Sequence, residues 1–247
     1  MSRQSNSTTD FLSRTPRKGS PREKALRACI TDERLATYNY EAQRRSCPAL
    51  ELYLWDHDMA SACMGDIAIL EVALRNRMDR QLSLLALEQN GTEDWYMAGL
   101  QFDDRTQYQI REAWNHLIAS LTFGFWRNLL EDGGTIHTKW PDQRRADYEN
   151  DLWRKGLDKT FSNGRQYARA VEERWTRKYA LDIVKTVHAL RNRVAHHEPL
   201  VNGIPLPGEN RRIALENATQ ACFALAMILD RDLHAWLMDN SKMKLVL

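Results

Sequence analysis

The chain has only four cysteines, Cys29, Cys47, Cys63 and Cys222, and none of them forms a Cys-x-x-Cys pair or stands at zinc-finger spacing from a histidine. Free thiols in a reducing compartment are the expected state. No apolar run approaches the ~20 residues a membrane helix needs. The first residues are polar, so no span and no secretory leader is expected, and the expected location is the cytoplasm. Net charge is almost missing too: 35 basic residues against 33 acidic ones leave +2. That excludes a global polycation and confines any nucleic-acid contact to a local patch. There is no glycine-rich phosphate loop, no Gly-x-Ser-x-Gly and no His-Glu-x-x-His. No carboxylate constellation for magnesium stands out, which counts against a nucleotide-handling enzyme. Strand-like alternation persists nowhere, so an all-α fold is expected.

What is present is helical material. Eight tryptophans and only eleven glycines in 247 residues suit helices with aromatic packing. Residues 1–22 are rich in Ser, Thr, Arg and Pro and read as a disordered basic tail, which leaves 23–247 as a single domain. A helix start is expected at Thr31-Asp32, and Pro48 breaks the helical run it opens. From Ala49 to about Leu87, apolar residues such as Ile67, Leu70, Leu74 and Met78 recur at helical spacing, predicting one long helix or two meeting near Gly65. Asp103 to Ser120 reads as an amphipathic helix leading into Leu121-Thr122-Phe123-Gly124-Phe125-Trp126, which suits core packing better than stacking on bases. Further helices are expected over about 166–197, with Ile183, Val187, Leu190 and Val194 inward, and over 213–238. A loop spanning 200–212 joins these two.

The chemistry concentrates in Arg191-Asn192-Arg193-Val194-Ala195-His196-His197-Glu198-Pro199. An arginine can hold phosphate oxygens bidentately, an imidazole can carry a proton near neutral pH, and an asparagine can orient either partner. Asn192 and His196, four apart, share a helix face with His188. Arg191 and His196, five apart, diverge by about 140° on an ideal helix. One site can use both only if the guanidinium wraps back, the helix distorts, or a second copy of the chain contributes. Pro199 disfavours helix at Glu198, so the helix should stop near His197 with His196 in the last turn, where the helix dipole favours a protonated ring. A zinc site from His188, His196, His197 and Glu198 is disfavoured, because the first two stand about 12 Å apart along the axis, too far for one ion.

Ala73-Leu74-Arg75-Asn76-Arg77 repeats Ala189-Leu190-Arg191-Asn192-Arg193 letter for letter. The repeat is either a good helical pentamer arising twice or a support for the site, with Glu71, Arg75 and Asn76 reaching the catalytic helix. Arg80 stands where the second copy has His196, so only the second copy can move a proton. Arg193, Arg211 and Arg212 are candidates for phosphate contacts, although arginines on helix faces are commonly just solvated.

The Arg-Asn-x-x-x-His signature resembles that of the HEPN superfamily of helical ribonucleases, in particular the Abi-like (abortive infection) proteins of bacteria. Asp32-Glu33-Arg34-Leu35 with Tyr38, Leu52-Tyr53-Leu54-Trp55, Leu70 to Asn76, Leu121 to Trp126 and Leu190 to Pro199 stand in the order of that family's landmarks. The resemblance implies a HEPN-like helical bundle with additional N-terminal and central helices. It also implies a homodimer whose two signatures form one composite cleft, and a metal-independent endoribonuclease that needs no cofactor. Such proteins act as toxins or phage-defence effectors restrained by an antitoxin, protein or RNA. By resemblance Arg191, Asn192 and His196 are the catalytic residues, with His197 a rival for His196. The alternative from another class is a non-catalytic helical module that binds RNA or a protein partner.

Overall fold

The computed structural model describes residues 15–113, 117–138 and 142–246. Residues 1–14 of the expected tail lie outside the described residues, as do His116 and the Trp140-Pro141 pair. The tail's expected end at residue 22 falls inside a helix, α1 (Pro21–Ile30), whose N-cap Ser20 accepts a hydrogen bond from the Glu23 backbone while Pro21 takes the first turn. This start signal is local and lies within a stretch of tail-like composition. Helix α2 (Asp32–Arg45) comes next, capped by Thr31, whose side chain accepts from Arg34 N.

Helix α3 (Ala49–Asn90) is the axis of the bundle, 42 residues long and unbroken at Gly65. Met59, Cys63, Ile67, Leu70, Leu74, Met78 and Leu82 recur every three or four residues along it and are wholly buried. A mid-helix glycine costs about 1 kcal/mol, which the buried stripe on both sides of it outweighs. Gly91, in the left-handed conformation at φ 73, ends the helix.

Helices α4 (Asp104–Glu112) and α5 (Leu117–Ser120) lie where one amphipathic helix is expected. In α6 (Phe123–Asn128) the aromatic cluster is core: Phe123, Phe125 and Trp126 are buried, which removes them as a stacking platform for bases. A short antiparallel pair, β1 (Thr135–His137) with β2 (Gln143–Arg145), comes after it.

The helix expected over 166–197 is two, α7 (Gly164–Ala170) and α8 (Arg177–Ala195). Glu172, at φ 58, turns the chain between them, and Thr176 caps α8 by accepting from Tyr179 N at 3.1 Å. The four expected inward residues of α8 are all buried. The 200–212 loop carries a second small antiparallel pair, β3 (Ile204–Pro205) with β4 (Arg212–Ile213).

The closing helix is also split, into α9 (Leu215–Leu229) and α10 (Arg231–Asn240), because the extended Asp230 caps α10 through Asp232 N and Leu233 N. A short α11 (Met243–Val246) ends the described chain. Among the described residues the fold is thus mainly helical, with strands confined to two short pairs. Helix α8 packs between α9, α3 and α6, and this arrangement positions the site.

Candidate functional site

Helix α8 ends in a tight reversal built from its own backbone. Ala195 is the last helical residue and His196 the C-cap. His197 N donates to Val194 O at 3.0 Å and Glu198 N to Arg193 O at 2.9 Å, the paired bonds of a Schellman ending. That ending needs a left-handed residue after the cap. The position is held by His197, at φ 54, where glycine or asparagine is usual. The helix therefore stops one or two residues before the expected His197, and both His196 and His197 are exposed at the corner.

The segment after the corner is strapped from three sides. Arg193, only 8 % exposed, donates to Pro199 O at 2.5 Å, to Asn202 Oδ1 at 3.0 Å and to Glu198 Oε2 at 2.8 Å. Asp56 on α3 accepts from both Leu200 N and Val201 N at 2.8 Å and from the Tyr38 hydroxyl of α2 at 2.8 Å. Burial raises the Asp56 pKa above the ordinary aspartate value, against those three bonds and the nearby Arg193. Arg212 adds bonds to Asn202 O at 2.8 Å and Oδ1 at 3.0 Å. Arg193 and Arg212 both hold the chain's own loop, their guanidinium groups bonded to backbone carbonyls, to the Asn202 amide and, for Arg193, to Glu198. Arg211 is exposed and pairs with Glu209 at 2.6 Å.

One turn earlier, α8 presents a second cluster. Arg191 is half-buried and faces Glu71 of α3, Nε to Oε2 3.6 Å, and its Nη1 lies 3.5 Å from Asn192 Oδ1. Glu71 thus reaches Arg191, whereas among the described residues Arg75 and Asn76 bond only to each other, at 3.4 Å. The pentamer echo has a common structural part. Leu74 and Leu190 are both wholly buried, and both following Arg-Asn pairs make the same neighbour contact. The closing arginines are both tied down, Arg77 to Asp230 at 2.5 Å and Arg193 to Glu198.

His188, on the same helix face as Asn192, joins this cluster. Its ring stacks on Phe123 with centroids 5.3 Å apart and planes 8° from parallel. Asn192 Nδ2 lies 3.3 Å from its Nε2, and Arg127 Nη1 lies 3.5 Å from its Nδ1. Burial, then Arg127, then Arg191 push its pKa down to about 4, so the ring is neutral at pH 7. A neutral imidazole has one acceptor nitrogen and one N–H. Only one of Asn192 Nδ2 and Arg127 Nη1 can therefore donate to it, and Asn192 Oδ1 remains the acceptor for Arg191 Nη1. Sequence reasoning missed Arg127 and Phe123 because they come from α6, some sixty residues away in sequence; the His188–Asn192 spacing of four was the one visible signal.

Arg191 turned towards Glu71, together with a helix regular to Ala195, means that Arg191 and His196 do not converge within one copy of the chain. Among the described residues no group of three or more His, Cys, Asp or Glu is placed to hold a metal ion, and no helix is long and apolar enough to cross a membrane. No protein-family model, curated protein or solved structure matches the chain.

Proposed function

We propose that the chain is a metal-independent endoribonuclease of HEPN, Abi-like type, a toxin or phage-defence effector whose active site is shared between two copies. The observation that carries this reading is the placing of a half-buried arginine–asparagine pair and an exposed imidazole on the end of one helix. Arg191 presents a guanidinium steadied by Asn192 Oδ1, and His196 stands one turn on at a strapped corner, exposed. Two copies related by a two-fold axis bring the donors of one to the imidazole of the other.

In this mechanism the RNA's 2′-OH attacks the adjacent phosphorus, and His196 moves a proton at the attacking or leaving oxygen. Arg191 stabilises charge on the nonbridging oxygens, a role worth about a hundredfold or more in rate. Asn192, held by His188, orients the phosphate. The products are a 2′,3′-cyclic phosphate and a free 5′-OH, and DNA, lacking the nucleophile, is not cut. An antitoxin, protein or RNA, would act by covering the exposed corner.

The test is RNA cleavage by purified protein in EDTA, with His196→Ala and Arg191→Ala alongside and the product ends determined chemically. Cyclic phosphate ends, lost in both variants, support the reading. RNA bound but never cut supports the non-catalytic binding module instead.

A further inference from the structure

One cleft of the molecule is not lined by the signature residues. That cleft, 880 Å³, lies between the start of α8, α6 and the β1–β2 pair. Its walls carry both signs of charge, but most of the carboxylates are already used. Asp103 caps α4 through Thr106 N at 2.8 Å and also accepts from Gly134 N. Asp104 pairs with His137, Glu131 with Arg127 and Asp132 with Arg177. The cations Arg105, Arg145 and Lys178 are exposed, and no described residue pairs with them. Asp182 is the carboxylate in the cleft without a described partner. Arg127 has a buried Nε with no hydrogen-bond partner.

Two features connect this cleft to the signature. Arg127 lines the cleft and also touches His188, which in turn meets Asn192. Along α8, Lys178, Lys185, Asn192 and His196 are spaced by seven, seven and four residues, which keeps them within about 40° of one line on the helix surface. The line runs about 21 Å from Lys178 to Asn192, further than one phosphate can reach and suited to a strand with regularly spaced charges.

We propose that this cleft binds the phosphodiester backbone of a single-stranded RNA and leads it along α8 to Asn192 and His196. For its ligand this rests on the ribonuclease reading. Lys178 and Arg145 contact phosphates, and Asp182 opposes binding by repulsion. Because only phosphates are read, single-stranded DNA of the same sequence binds comparably and is not cut.

The test measures binding of a labelled single-stranded RNA, in EDTA, to the full chain carrying His196→Ala so that nothing is cleaved. Lys178→Glu with Arg145→Glu should weaken binding by about tenfold or more and lower the salt dependence, by about 0.7 in the log–log slope for each phosphate no longer neutralised. Asp182→Asn should tighten it, and Arg231→Glu, an exposed charge reversal on α10, should change nothing. Unaltered melting of each variant confirms folding. Affinity and salt slope unchanged by the double reversal overturn the proposal, even if the wild-type chain cuts RNA. Binding lost in the double reversal while the wild-type chain cuts no RNA upholds the cleft and removes the nuclease.

Discussion

His188 and Phe123 lie face to face, 5.3 Å between centroids, joining the signature helix to the aromatic core. The stack buries an imidazole between two arginines, and so the residue that holds Asn192 in place is one that stays uncharged. This gives the cluster a defined response to acid.

The folded His188 pKa, about 4, lies below the ordinary histidine value of 6.5. The unfolded chain therefore binds more protons between those values, and stability rises with pH across that window. The contribution is complete above pH 6.5 and is lost as pH falls towards 4. Denaturant unfolding measured from pH 7 to pH 4 should show this slope, and His188→Gln should flatten it. A slope unchanged by the substitution would remove His188 as its source.

His197 occupies a left-handed position that glycine adopts without strain. His197→Gly should raise stability by about 1 kcal/mol or leave it unchanged, seen as an equal or higher unfolding midpoint, and should leave RNA cleavage intact. Loss of cleavage with the fold preserved would transfer the proton-moving role from His196 to His197.

The strap behind the corner predicts a cost for breaking it. Arg193→Ala leaves Pro199 O without its charged donor and Asn202 Oδ1 with Arg212 alone, and should destabilise by about 2–3 kcal/mol. Tyr38→Phe removes one of three donors to buried Asp56 and should cost about 1–3 kcal/mol. Urea unfolding of the two variants measures both, and a cost near zero for Arg193→Ala would mean that the guanidinium is not what holds the segment.

Gly164, at the start of α7, sits against Trp175. A Cβ there would come within 2.3 Å of the indole ring. Gly164→Ala should force the ring aside and lower the thermal midpoint, since overpacking costs about 1–3 kcal/mol. An unchanged midpoint would show that the 171–176 turn gives way freely.

The sequence showed what periodicity and turn residues encode. The α3 stripe from Met59 to Leu82 and the α8 stripe from Ile183 to Val194 both face inward as their spacing predicts, and Pro48 and Gly91 bound α3. It did not show what depends on a single polar atom. Ser20, Thr176 and Asp230 each start a helix inside a run that reads as uniform, because a cap changes one hydrogen bond and not the apolar pattern. Arg191, Asn192 and His196 stand out by residue type, and Glu71, just ahead of the first copy of the repeated pentamer, lies 3.6 Å from Arg191. The structural work of Arg193 and Arg212 was not visible, because their partners are carbonyls and an amide in a loop whose path no pattern specifies. Arg127 and the cleft it lines depend on α6 crossing α8, a tertiary contact with no local signature.

The most direct test of the shared site mixes two inactive chains. Arg191→Ala and His196→Ala, each unable to cut RNA alone, are unfolded together, refolded and assayed in EDTA. If Arg191 of one copy serves His196 of the other, half of the dimers are mixed and each has one intact site, so about a quarter of the wild-type rate returns. No recovery from a mixture shown to contain mixed dimers, with the wild-type chain active in parallel, would contradict the account.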